Sequence, residues 1–234
     1  MNTNKLQVFV FAMLFVVGAF TGCVDEDDDD KTTTDNTIKI GFLNPITGPL
    51  EPDAPGFKWG ADQAISDLAK MYPDETFELV ELDSGCSGDV AGPAAQTLVD
   101  SGVVAVVGAA CSGASMSANA VLAAAGIPMI SYASTNPGLS DEAKYPHFYR
   151  NVPSDAIQGP AGAAMMADAG VTNESLAILH MTNDYGSGLA DSIKAAWEED
   201  GKLCSAGMQG YEETTTNFDA MVANVTDASD CNAV

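Results

Sequence analysis

From residue 37 onward, short apolar runs alternate with segments whose apolar residues recur at helical spacing. The run IKIGFL, residues 38–43, reads as a strand. Residues 57–72 read as a helix, with Trp59, Ala64, Ile65 and Leu68 at helical spacing. FELVELD, residues 77–83, is a second strand, and residues 89–102 form a helix stopped by Gly102. VVAVVG, residues 103–108, is apolar throughout, as a strand covered on both faces would be. A helix at 114–126 and a strand at 127–131 follow. The rhythm then breaks into a long loop with Pro137 and Pro146, a short strand at 147–152, and a turn. After it the alternation restarts: helix 156–170, strand 176–181, helix 190–201, strand 203–211, helix 217–228.

Strand–helix alternation of this kind means an α/β fold, a parallel sheet with helices on both faces and right-handed crossovers. The restart predicts two doubly wound lobes, residues 38–152 and 153–234, with a hinge near Pro153 to Asp155. The pattern starts another strand at CNAV, residues 231–234, so the chain reads as a piece of a longer protein whose second lobe is incomplete here.

Composition narrows the function. Nine Lys and Arg against 33 Asp and Glu give a net charge of −24. Such a surface repels nucleic acid and anionic lipid, which argues against nucleic-acid binding. Lys5, an apolar run at 8–20 and FTGC at 20–23 read as a lipoprotein signal, residues 1–23, with Cys23 as the lipidated residue. The run is short of the ~20 residues a spanning helix needs. Residues 24–37, acidic and Thr-rich, read as a disordered tether. The expectation is an extracytoplasmic protein held at the cell surface or in the periplasm by a lipid anchor alone.

Export leaves four further cysteines in an oxidising compartment. Cys86, Cys111, Cys204 and Cys231 allow three pairings, of which the two local ones are favoured because each joins segments within one half of the chain. A bond closing the 86–111 loop would stabilise by ~3.5 kcal/mol in the chain-entropy model. The cysteine spacing fits no zinc pattern, and His147 and His180 lie far apart, so no metal or other cofactor is expected. Asn173-Glu-Ser and Asn224-Val-Thr are glycosylation sequons.

The loop GAACSGAS, residues 108–115, follows an apolar strand and opens a helix. As a phosphate loop it fails, because Ala114 stands where the lysine must be. As a nucleophile elbow it fails, because Ala109 and Ala110 occupy the first glycine's place. No catalytic residue is assigned and no enzyme activity is expected. What remains is an anion site at the carboxyl end of a parallel strand, where N–H groups and the helix dipole favour a carboxylate. Ser112 can donate there, or simply cap the helix. The next loop, SYASTNPGL at 131–139, offers the Ser134 and Thr135 hydroxyls and the Ala133 carbonyl. Donors beside acceptors suit a zwitterion.

Five stretches carry a more specific resemblance: IKIGFLNPITGPL, DSGC with LVDSGVVAVVGAACSGAS, AGIPMISYASTNPGLSD, FYRNVPSDAIQGPAGA and NDYGSGLADSIKAAWEEDG. In this order they resemble the substrate-binding proteins of branched-chain amino acid ABC transporters, the leucine–isoleucine–valine-binding type, from about residue 38 to the end. The resemblance implies the type I periplasmic-binding-protein fold, two lobes closing on an amino acid, and a Cys86–Cys111 disulfide. It implies that Ser112 and Thr135 hold the ligand carboxylate through hydroxyl and backbone N–H. It further implies that the Ala133 carbonyl takes the ammonium and that Tyr185 reaches in from the second lobe. His180 is expected to support the cleft edge. The implied partners are a small amino acid and ABC permease subunits, with the protein itself a monomer. A sensor module on the same fold, or a binder of an amide, urea or another small acid, is the alternative. Two features depart from the pattern: Tyr132, where relatives often have proline, and EPDAPG at 51–56, where relatives often place an apolar residue near the ligand side chain. The family's acidic residue for the ammonium would lie beyond Val234.

Overall fold

The computed structural model describes residues 37–172, 175–199, 201–231 and 233–234; the signal, Cys23, nearly all of the tether and the Asn173 sequon fall outside these. Seven strands and six helices alternate along the described chain. They are β1 (Thr37–Asn44), α1 (Ala54–Met71), β2 (Thr76–Asp83), α2 (Gly88–Asp100), β3 (Ala105–Val107), α3 (Ser112–Ala124), β4 (Met129–Ser131), β5 (Phe148–Arg150), α4 (Asp155–Asp168), β6 (Ile178–Met181), α5 (Asp184–Glu198), β7 (Met208–Tyr211) and α6 (Asp219–Asp227). β1 to β5 form one parallel sheet in the order β2-β1-β3-β4-β5, and β6 pairs with β7 in a second. Each sheet with its helices is a lobe, and together they give the α/β, two-sheet architecture that the alternation predicts.

The first lobe's core lies between the sheet and the α2–α3 pair. Leu43, Leu98, Val106, Leu122 and Met129 are fully buried there, with Ala91, Ala95, Ala114 and Ala118 letting the helices come close. The small second core gathers Leu176, Ile178, Ala190 and Trp197. Both favoured disulfides form: Cys86–Cys111, with Cα atoms 5.1 Å apart, and Cys204–Cys231, at 5.2 Å.

Four expectations need correction. The all-apolar run at 103–108 is not covered on both faces. Val106 is buried under α2 and α3, but on the opposite face Phe42, Val107, Ile130 and Tyr149 stand in register across four strands, with Ile130 43% and Tyr149 58% exposed. α1 packs on β1 and β2, at one side of that face. Within α1 the spacing holds for half of the residues it named: Ile65 and Leu68 are partly buried, but Trp59 is 68% exposed and Ala64 is exposed. α5 begins at Asp184, six residues earlier than read, because Asn183 caps it by accepting from the Gly186 N–H and the two glycines continue the helix. β7 is shorter than read: residues 203–207 form a turn, fixed by the disulfide at Cys204 and by its N–H to Leu176 O.

Tyr132 fills the space between Phe42 and Phe57, at ring distances of 6.0 and 4.9 Å, and its hydroxyl donates to Leu43 O. It therefore pins α1 to the sheet. Burial, with Glu81 nearby, raises its phenol well above the ordinary range.

Leu98 is fully buried at the centre of the first core. Truncating it removes transfer energy and leaves a void, so Leu98→Ala should lower the unfolding free energy by about 2–5 kcal/mol in urea titrations. A change below about 1 kcal/mol would show that the core collapses around the gap.

Candidate functional site

Two loops at the carboxyl ends of adjacent strands, 108–111 after β3 and 132–136 after β4, form the floor of a cleft. Three buried serines fasten them together. Ser131 Oγ donates to Ala109 O at 2.6 Å, and Ser115 Oγ contacts Ala109 N and O at 3.1 and 3.2 Å. Ser134 Oγ lies 2.8 Å from Ser115 Oγ and donates toward the Ala109 and Ala110 carbonyls, while its N–H reaches Ser131 Oγ at 2.9 Å. The chain can turn this tightly after β3 because Gly108 has φ +118°, and a Cβ there would lie 2.6 Å from Leu43 O.

The cleft has a volume of about 580 Å3. The first lobe lines it with Leu50, Cys111, Ser112, Ala133 and Thr135, the second with Met181, Asn183, Asp184, Tyr185 and Glu213. Three helix N-termini open onto it: α2 at Ser87 and Gly88, α3 at Ser112 and Gly113, and α5 at Asn183 to Tyr185. Their unpaired N–H groups and positive dipole ends favour an anion. Asp184 and Glu213 are the charged side chains of the lining, and they favour a cation.

The structure brings Ser112, Ala133, Thr135 and Tyr185 to this one cleft. Ser134 does not line it. Its hydroxyl is spent in the serine cluster below, whereas Ser112, equally buried, borders the cleft. His180 lies on β6 outside the lining, its Nδ1 on Met181 O at 2.8 Å. The two cleft hydroxyls differ in polarity. Ser112 Oγ accepts the Asn136 N–H at 3.2 Å, which leaves its own hydrogen to donate. Thr135 Oγ1 donates to Asp155 Oδ2 at 2.8 Å, which leaves it lone pairs to accept with. Through its hydroxyl, Thr135 is thus set to receive a donor, against the expectation that this group serves a carboxylate.

Asp155, at the predicted hinge, also belongs to the site's surroundings. It is 0% exposed at the first position of α4, and its N–H donates to Thr135 O at 2.9 Å. Its Oδ1 is buried without a hydrogen-bond partner among the described residues. Arg150 braces the same loop, donating from Nη1 to Asn136 O at 2.9 Å and from Nη2 to Ser140 Oγ. Burial raises the Asp155 carboxyl above the usual range, against the Thr135 hydrogen bond and the Arg150 charge. The signal available in the sequence was an Arg and an Asp flanking the break between the two alternations.

Comparison with known proteins supplies the family. A family model described as periplasmic binding protein matches residues 37–234. The leucine-, isoleucine-, valine-, threonine- and alanine-binding protein of Pseudomonas aeruginosa is 28% identical over 192 residues, 81% of this chain and 51% of that one. The leucine-specific-binding protein of Salmonella typhimurium is 29% identical over 190 residues, 80% of this chain and 51% of that one. Among solved structures, the branched-chain amino acid transporter substrate-binding protein LivJ of Streptococcus pneumoniae, in complex with isoleucine, superposes with a TM-score of 0.68 at 26% identity, over 81% of this chain and 54% of that one. The chain spans about half the length of the curated relatives it matches.

A carboxyl raised by burial costs stability in its charged form. The cost is absent below the unfolded value, grows as pH rises through the interval up to the folded value, and is complete above it. Asp155→Asn keeps an acceptor for Thr135 and removes the buried charge. Its melting temperature at pH 7 should match or exceed the parent's, and the difference should shrink toward pH 4. A fall of several degrees at pH 7 would mean that the charge itself is stabilising. With a cleft whose donors and acceptors are fixed by the fold, and a matching model over residues 37–234, the chain belongs to the periplasmic binding protein family.

Proposed function

We propose that this protein captures a small amino acid, of the branched-chain class, outside the cytoplasm and delivers it to an ABC permease without covalent chemistry. The observation that carries the reading is the split polarity of the cleft floor. Ser112, at the N-terminus of α3, keeps a hydrogen for a carboxylate, while Thr135 keeps lone pairs for an ammonium and the Ala133 carbonyl lines the same floor. A carboxylate and an ammonium on one carbon need such a pair of neighbours. Pro49, Leu50, Ala110 and Met181 supply apolar lining that suits an aliphatic side chain.

The names of the relatives support the ligand class. Tyr185, in the first turn of α5, would close the cleft from the second lobe as the segment near Pro153 to Asp155 bends. Cys23 would carry the lipid that keeps the protein at the membrane surface as a monomer, with the permease as its partner. No helix among the described residues is long and apolar enough to cross a membrane.

Calorimetric titration of the full-length protein with leucine, isoleucine, valine and alanine tests the reading. At least one should bind, and 4-methylpentanoate and isoamylamine, each lacking one charge of leucine, should bind at least ~tenfold more weakly than leucine, about 1.4 kcal/mol. Ser112→Ala combined with Thr135→Ala should abolish the heat. Absence of binding by every amino acid would overturn the ligand class, and unchanged affinity in the double variant would remove this floor from the site.

A further inference from the structure

The two lobes touch at one place where neither wall has room for a larger side chain. Asn136 follows Thr135 directly in the floor loop, and its Nδ2 donates to Asp184 O in the first turn of α5. Everything else that holds Asn136 belongs to the first lobe. Its Oδ1 accepts the Gly138 N–H at 2.7 Å, its own N–H goes to Ser112 Oγ at 3.2 Å, and its carbonyl accepts from Arg150 Nη1 at 2.9 Å. The side chain is thus a fixed projection of one lobe that ends on the other.

The receiving surface is made of glycine. A Cβ added at Gly188 of α5 would lie 3.0 Å from Asn136 Cγ and 3.2 Å from Pro137 Cδ, with Asn136 Nδ2 closer still. A Cβ added at Gly113 of α3 would lie 2.5 Å from Asp184 Oδ2. Each lobe therefore presents one glycine to the same contact. Gly188 lies within α5, where glycine costs about 1 kcal/mol relative to alanine. The three atoms that such a Cβ would meet first all belong to the other lobe, so the approach of Asn136 and Pro137 is what this glycine makes room for.

We propose that Asn136 is a positioning residue for ligand binding: seated against Gly188 and hydrogen-bonded to the Asp184 carbonyl, it holds the second lobe closed over the cleft. It does not line the cleft. It acts because the loop that carries Thr135 also carries the closing contact, so the floor that receives the ligand and the latch that closes over it are one braced piece. This rests on the reading of the cleft as an amino-acid site.

The test is leucine titration of the full-length protein and two variants, together with their melting temperatures without ligand. Gly188→Ala should weaken leucine binding at least ~tenfold while the unliganded melting temperature stays level or rises, as expected of alanine in a helix. A purely structural glycine would move both in the same direction. Asn136→Asp keeps the acceptor for Gly138, loses the donor to Asp184 O, and should weaken binding similarly; it carries the test if Gly188→Ala fails to fold. Parent-like leucine affinity in the folded variants would overturn the latch and leave the cleft reading standing. A parent protein that binds no leucine would overturn the latch together with leucine as its ligand.

Discussion

The site depends on three hydroxyl groups that no ligand can reach. Ser115, Ser131 and Ser134 lie under the cleft, each 1% exposed or less, and between them contact both polar backbone groups of Ala109 and the carbonyl of Ala110. Two irregular loops cannot satisfy each other's backbone as strands do, and a buried N–H or C=O without a partner costs free energy comparable to a lost hydrogen bond. The serines remove that cost. They also set the separation of the loops, because each hydrogen bond tolerates only a few tenths of an ångström. Ser112 and Thr135 stand where they do because of this layer.

A second constraint comes from the sides. The Cys86–Cys111 disulfide ties the start of α3 to the loop before α2, and both its residues line the cleft. Arg150 and Asp155 hold the 134–140 segment from the far side, one through the carbonyl and hydroxyl groups of that loop, the other through Thr135 at both side chain and backbone. Asp155 also begins α4, the first helix after the chain leaves the larger sheet. The polarity of the Thr135 hydroxyl is therefore set from the passage between lobes.

Much of this is legible in the sequence, because it follows from apolar periodicity. The order of strands and helices, the break after β5, and the loops at the ends of β3 and β4 are all written in where Val, Ile and Leu recur. Cysteine parity pointed to the two bridges. Hydrogen-bond partners are not written there. Ser112, Ser115, Ser131 and Ser134 look alike in sequence, and the sheet alone decides that the first faces the cleft and the other three lie beneath it. The direction of the Thr135 hydrogen is not legible for the same reason: it depends on Asp155, twenty positions away, and no spacing rule connects them. The start of α5 is hidden because Gly186 and Gly188 resemble a turn; the structure shows Gly186 packed against Met181 of its own lobe and Gly188 against Asn136 of the other. The exposed row through Ile130 and Tyr149 was read as buried because an apolar run records a preference for cover without recording what provides it.

The division of labour between the walls has a kinetic meaning. Ser112, Ala133 and Thr135, the cleft groups that the first lobe supplies, sit on loops braced by serines, a disulfide and Arg150, all within that lobe. On the proposed reading, an arriving ligand would settle on one finished wall without waiting for a domain to move, and its on-rate would follow diffusion to an open surface. The second wall, with Met181, Tyr185 and Glu213, would then arrive afterwards and set how long the ligand stays. Capture and retention are then separate properties, carried by different stretches of one chain and open to change one at a time.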